Sequence, residues 1–200
     1  MKILSIHIFS LYNSKPIILS SAFELSFISI FQRWIIKDFL NFHSRLIIGR
    51  IAQDTSAAVQ LEKGICYALA NSDKIGIAMI CDEEYPKRVA VDFLFKIHED
   101  FKNFIKEKKI DLNLYTDDTD IKYKTIKDEI VEWQNPAKKD SIMKLQDELN
   151  DVVDIMRQNL NELLKREENL DSLIIKSEEL SKTSKSFYIQ AKKTNKCCNF

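Results

Sequence analysis

The sequence predicts an α+β fold with a long helical appendage, and three observations carry that prediction. Residues 3–81 break into short β-branched and aromatic runs separated by turn clusters, as paired strands require. Two later segments carry apolar residues at helical spacing. From Ile142 to Thr194 apolar residues recur every 3.5 residues, and no Gly or Pro follows Pro136. The predicted organisation is an N-terminal domain over 1–134, a linker over 135–140, a coiled-coil segment over 141–196 and a short terminal motif over 197–200.

In chain order, Ile3–Phe9 reads as a half-buried strand with Leu4, Ile6 and Ile8 on one face. Tyr12-Asn13-Ser14-Lys15-Pro16 is a turn cluster, and Ile17–Ala22 completes a hairpin. Trp34–Ile51 reads as an amphipathic helix whose apolar flank includes Phe39 and Phe42. Three short strands follow at Val59–Leu61, Gly64–Ala70 and Ile75–Cys81, the last two joined by Asn71-Ser72-Asp73-Lys74. Asp82-Glu83-Glu84-Tyr85-Pro86 opens a second helix, since acidic residues suit a positive helix end and proline suits a first turn. Its stripe is Ala90, Leu94, Ile97, Phe101 and Phe104. Asp111–Asp120 is a polar loop, and Thr119 or Asp120 is placed to cap a third helix over Ile121–Trp133.

The heptad segment has sixteen seam positions in unbroken register: Ile142, Leu145, Leu149, Val152, Met156, Asn159, Leu163, Arg166, Leu170, Leu173, Ser177, Leu180, Ser184, Phe187, Ala191 and Thr194. Eleven are apolar. A continuous helix of this length would reach roughly 80 Å and leave one apolar edge to be covered by other helices. Arg166 is the odd member. A guanidinium at a seam either snorkels to the rim or acts as a register pin that finds acceptors across the seam.

Thirty basic and thirty acidic residues cancel, so no global field points to nucleic acid. Four cysteines without a C-x-x-C pair make no disulfide framework, and Cys66 and Cys81 lie in apolar runs as expected of core thiols. No apolar run approaches the ~20 residues of a membrane span. Asp111-x-Asn113 with Asp117-Asp118 lacks the glycine and spacing of a calcium loop, so no metal site is expected. From Leu180 on there are five lysines and no acid, then Cys197-Cys198-Asn199-Phe200. A cysteine at that place, with a final Phe, matches a geranylgeranyl acceptor pattern.

The blocks Val152–Asn159 and Leu163–Leu170 resemble the SNARE motif of the R-SNAREs of the synaptobrevin family, and the resemblance spans all sixteen layers. It implies that Arg166 is the zero-layer arginine facing three glutamines from three Q-SNARE helices. Asp82–Arg88, Phe39-Leu40-Asn41-Phe42 and the linker Gln134-Asn135-Pro136 into Ile142–Gln146 resemble the longin domain. In this family that domain is a profilin-like, five-stranded, mainly antiparallel sheet with flanking helices. With the tail, the chain is similar to the lipid-anchored longin R-SNAREs that lack a transmembrane helix.

That resemblance implies membrane fusion in ER–Golgi, endosomal and vacuolar trafficking. It implies a prenyl group, with a palmitate in some members, on Cys197 and Cys198, and no other cofactor. It implies a peripheral place on the cytosolic face of Golgi, ER-derived and endosomal membranes, and a cytosolic form with the SNARE segment folded onto the longin domain. The tail departs from the usual pattern, being one residue shorter with Asn199, so prenylation of Cys197 alone and of both cysteines stay open. Phe42 lines either a groove for the lipid and the segment or the ordinary core. An acyl-transfer activity has little support, because His7, His43 and His98 are far apart and Cys66 and Cys81 have no evident base. A non-fusogenic coiled-coil adaptor would keep the seam but have no need of Arg166.

Overall fold

The computed structural model describes residues 2–139, 156–165 and 167–197. Its centre is a six-stranded sheet of order β2-β1-β5-β4-β3-β6. The strands are β1 Ile3–Ser10, β2 Ile17–Phe23, β3 Thr55–Gln60, β4 Ile65–Ala70, β5 Ile75–Cys81 and β6 Met156–Asn159. The first five pair antiparallel, as hairpins allow. The sixth, from the C-terminal segment, runs parallel to β3. The predicted five-stranded sheet is therefore present and extended by one strand.

Strand β1 lies between β2 and β5 and is buried along almost its whole length, because helices cover both faces. Its side chains divide differently from the simple alternation expected. Ile3, Ile6 and Ile8 share one core, whereas Leu4 packs with Phe9 in the other. A register shift between Ile3 and Ser5 inserts an extra residue, which moves Leu4 to the opposite face.

One face is covered by helices α2 (Lys87–Lys108) and α3 (Thr125–Glu132). Val89, Phe93, Ile97 and Phe101 of α2 meet Ile126 and Ile130 of α3 and the adjoining Trp133. Phe93 stacks on Trp133 with ring centroids 4.6 Å apart, and the Tyr85 hydroxyl donates to the Trp133 carbonyl at 2.8 Å. The Gln134 side chain then closes the layer on β1. It accepts from the Ile3 N–H at 3.1 Å and donates to the Ile3 carbonyl at 2.8 Å.

The other face carries α1 (Ile30–Ile48), which begins earlier than the sequence suggested: the Ser29 carbonyl accepts from the Gln32 and Arg33 N–H groups at 2.9 and 3.2 Å. Beneath it β3, β4 and β5 present Ala57, Cys66, Ala68, Ala70 and Ala78. These small side chains give Leu40, Ile47 and Ile48 room to pack close to the sheet. The β3–β4 turn needs Gly64, which has φ +108° and would place a Cβ 2.3 Å from the Cys81 carbonyl oxygen.

Two local expectations are corrected. The third strand starts at Thr55 rather than Val59, because its pairing with β4 runs back to Thr55↔Ala70. Helix α3 starts at Thr125, and neither Thr119 nor Asp120 caps it. Backbone contacts on the β2 edge hold that loop extended: Thr119 N–H donates to Ile18 O and Ile121 N–H to Leu19 O.

Candidate functional site

The surface that matters is the one where the C-terminal segment lies on α1 and on the edge of β3. The continuous helix expected from Ile142 to Thr194 is absent among the described residues. After β6 come α4 (Leu160–Leu163), α5 (Leu170–Lys176) and α6 (Lys182–Cys197). The physical reason is the unsatisfied apolar edge. A lone heptad helix leaves that edge in water, whereas a broken chain buries it on the domain and pairs its backbone at the sheet edge. Leu164 and Ser177 take extended backbone angles where the helix would otherwise continue. Asn169 starts α5 by accepting from the Asp171 N–H at 2.8 Å, a helix-capping bond.

Met156–Asn159 adds to β3 in the register Ala57↔Met156 through Gln60↔Asn159. Strand addition of this kind uses main-chain hydrogen bonds and asks little of side chains. The Asn159 N–H donates to the Glu162 carboxylate at 3.0 Å, starting the next turn. Leu160 is buried in the cluster beneath α1, and Leu163 and Leu170 pack against the same cluster.

A second apolar contact follows. Ile174 and Leu180 are buried against Phe42, with Phe39, Leu46, Leu173 and Tyr188 around them. Phe42 is thus covered by the C-terminal segment, and Phe39 faces Tyr188 at a centroid distance of 5.9 Å. Beside Phe42 lies a cleft of about 250 Å³, bordered by Lys15, Arg45, Arg50 and Glu179.

Polar contacts fix the segment's course. Arg45 is nine-tenths buried, with Nη2 2.5 Å from Asp118 and Nη1 3.3 Å from Glu179. Glu179 also meets Lys15 Nζ at 2.8 Å. Arg50 meets Glu168 at 2.9 Å, and that hydrogen bond holds the Glu168 carboxyl below its usual range. Asp38 accepts from the Ser184 hydroxyl at 2.8 Å and from the Ser181 N–H at 3.4 Å. Within the segment, the Tyr188 hydroxyl donates to Asp171 at 2.5 Å, and Lys192 pairs with the same carboxylate. Burial, then Asp171, push the Tyr188 phenol up to about 12.

The predicted seam residues are used unevenly. Leu163, Leu170, Leu173, Leu180 and Ser184 face the domain, while Met156, Asn159, Phe187, Ala191 and Thr194 are exposed and Ser177 ends α5. Ile142, Leu145, Leu149, Val152, Arg166 and Cys198 lie outside the described residues. Cys197 ends α6. Seam reasoning missed Leu160, Ile174 and Tyr188, which carry much of the docked contact. Their signal was available: each is a large side chain off the 3.5-residue seam, which a pure coiled coil would leave in water.

Away from this surface, burial pushes the Cys66 and Cys81 thiols well above their usual range, so both stay protonated at neutral pH. Burial lowers the His7 ring to about 4, with Nε2 2.9 Å from Asn41 Oδ1, and also lowers His43. No described helix is long and apolar enough to cross a membrane.

Comparison with known families places two matches on this geometry. The synaptobrevin family matches residues 141–199, and the longin family, described as a regulated-SNARE-like domain, matches residues 26–120. The protein named "Synaptobrevin homolog YKT6" of Debaryomyces hansenii is 34% identical over 198 residues, covering 99% of this chain and 98% of that protein. Its namesake in Saccharomyces cerevisiae is 32% identical over 199 residues, with coverage of 99% and 98%. That of Yarrowia lipolytica is 33% identical over 199 residues, with the same coverage.

Proposed function

We propose, from the premise that this chain belongs to the YKT6 family of synaptobrevin homologues, the longin-type R-SNAREs of vesicle trafficking, that its docked form is an autoinhibited reserve state. Release frees residues 141–196 to form a four-helix bundle with three Q-SNARE helices. One observation carries this reading. Leu163, Leu170, Leu173 and Leu180 are seam residues of the predicted bundle and are also the residues packed on the longin domain. One side chain cannot be buried in both places, so docking and zippering compete.

Ile174 allows the two states to be separated. It is wholly buried in the docked form and lies off the seam. Ile174→Asp is expected to speed assembly with Q-SNARE helices and leave the melting of the finished bundle unchanged. An unaltered assembly rate would remove the autoinhibitory role.

Arg166 is assigned the zero layer, where slippage would leave its charge buried without the glutamines. Arg166→Ala is expected to lower the melting temperature of the reconstituted bundle or shift its register. A bundle identical in both respects would return the chain to the adaptor class.

The tail is assigned as the anchor. Either Cys197 alone carries the prenyl group, in which case ordinary processing removes Cys198 and the palmitate site with it, or both cysteines are prenylated. The five lysines supply the second signal that one lipid chain needs, at about 1 kcal/mol each near anionic lipid. Mass spectrometry of the mature C-terminal peptide reads which cysteine carries which lipid. In the closed form the lipid takes a groove near Phe42 while the segment is docked, and the cleft bordered by Lys15, Arg45, Arg50 and Glu179 supports that reading. The site of action is the cytosolic face of Golgi, ER-derived and endosomal membranes. The relatives are named as synaptobrevin homologues, and we assign no reaction to the longin domain. The protonated thiols of Cys66 and Cys81 support that assignment, and absence of single-turnover acylation by the longin domain tests it.

A further inference from the structure

The loop before α1 and its first turn carry an apolar cluster that nothing in the docked arrangement uses. Phe31 is 84% exposed, Ile30 70%, Phe27 45% and Trp34 44%. Four large apolar side chains lie within eight residues at spacings of three, one and three, which sets them along one edge of the helix entry. A soluble surface scatters such residues singly, and a contiguous group of them marks a contact.

Cations surround the cluster. Lys2 Nζ sits 4.0 Å over the Phe27 ring, and Lys37 Nζ lies 5.2 Å from the Phe23 ring. Arg33 donates to the carbonyls of Ser26 and Ile28, both at 2.9 Å, so its guanidinium is fixed beside the apolar group. Glu24 is the acid of this neighbourhood, and its carboxylate accepts from the Ser26 N–H at 3.1 Å.

We propose that this edge is an interfacial membrane contact: Phe27, Ile30, Phe31 and Trp34 enter the headgroup–acyl boundary of an anionic bilayer while Lys2, Arg33 and Lys37 face its phosphates. The occupant is a lipid surface because the cluster combines exposed aromatic and aliphatic side chains with a cationic rim. The contact belongs to the longin domain, so it persists whether the C-terminal segment is docked or zippered. It orients that domain on the membrane and does not depend on which cysteine is acylated.

The chain carries its own probe. Of its two tryptophans, Trp133 is buried, so a fluorescence change on vesicles reports Trp34. The experiment uses full-length Cys197→Ser/Cys198→Ser protein, which bears no lipid, with vesicles of phosphatidylcholine containing phosphatidylserine and with phosphatidylcholine alone. A blue shift of Trp34 is expected on the anionic vesicles, weakening with salt. Ile30→Asp/Phe31→Asp in the same background is expected to abolish the shift and cut vesicle partition roughly tenfold or more. Those positions are exposed, so an unchanged thermal midpoint and Trp133 emission confirm folding.

Flotation without a Trp34 shift assigns binding to the tail lysines and overturns the proposal. A shift that survives the double substitution also overturns it, as does concentration-dependent self-association without vesicle binding. Failure here leaves the lipid-anchor reading standing, because the test protein has no anchor.

Discussion

The sheet has an apolar covering on each side, and the two coverings are built differently. Under α2 and α3 the contact is made by buried aromatic and aliphatic residues, with Phe93 and Phe101 wholly buried and Trp133 stacked on Phe93. Beyond α1 the C-terminal segment rests on three buried apolar residues, Leu160, Ile174 and Leu180, and on a row of polar contacts from Asp38, Arg45 and Arg50. The first arrangement cannot be opened without unfolding the domain. The second is shallow, partly solvated and made of units that can leave together. A switch segment requires that contrast: its dock must be weaker than the scaffold and weaker than the bundle that replaces it.

The contrast can be broken at its strong side first. Phe93→Ala removes a fully buried ring and is expected to cost about 3–5 kcal/mol, lowering the denaturation midpoint of the whole longin layer. Ile174→Ala is expected to cost about 2–4 kcal/mol, but only in docking. Hydrogen exchange then rises over Met156–Asn159 and Leu170–Lys176 while β1–β5 keep their protection. Equal loss in both regions would mean that the segment is part of the scaffold.

Acid sharpens the same division. Burial lowers His7 from its ordinary 6.5 to about 4, so the unfolded chain takes up that proton first. The stabilisation is complete above pH 6.5 and is lost as pH falls toward 4, up to about 3 kcal/mol. His7→Gln is expected to flatten that slope in chemical denaturation at pH 4 to 7. The smallest effect belongs to the Arg50–Glu168 pair. Arg50→Ala is expected to loosen docking only slightly, with a dependence on salt that Ile174→Ala lacks.

Much of the longin layer was legible because its signals are local. Strand lengths, the turn at Asn71–Lys74 and the Pro86 helix entry follow from nearby residues. The misplaced features depend on tertiary contacts. Leu4 changed faces through a bulge, and the loop before α3 was claimed by the edge of β2 instead of capping the helix.

The C-terminal segment was legible in another sense. Its 3.5-residue pattern describes the assembly it enters with partners, and the docked form uses a second, overlapping pattern written in Leu160, Ile174 and Tyr188. One sequence encodes two burial schemes, and periodicity reports only the more regular one. The exposed Phe27–Trp34 cluster escaped the helix reading, which began at Trp34 and left out both the loop that carries Phe27 and the first turn of α1 that carries Ile30 and Phe31.

The parallel pairing of Met156–Asn159 with Thr55–Gln60 has a consequence for the domain left behind. Once those four residues depart, β3 becomes an outer strand whose main-chain donors and acceptors face solvent, flanked by uncharged Ala57, Ala58 and Val59. Such a rim invites stray extended peptides and neighbouring copies. Every round of fusion would therefore leave a transiently adhesive scaffold, and refolding of the departed stretch onto its own rim would double as protection against clumping.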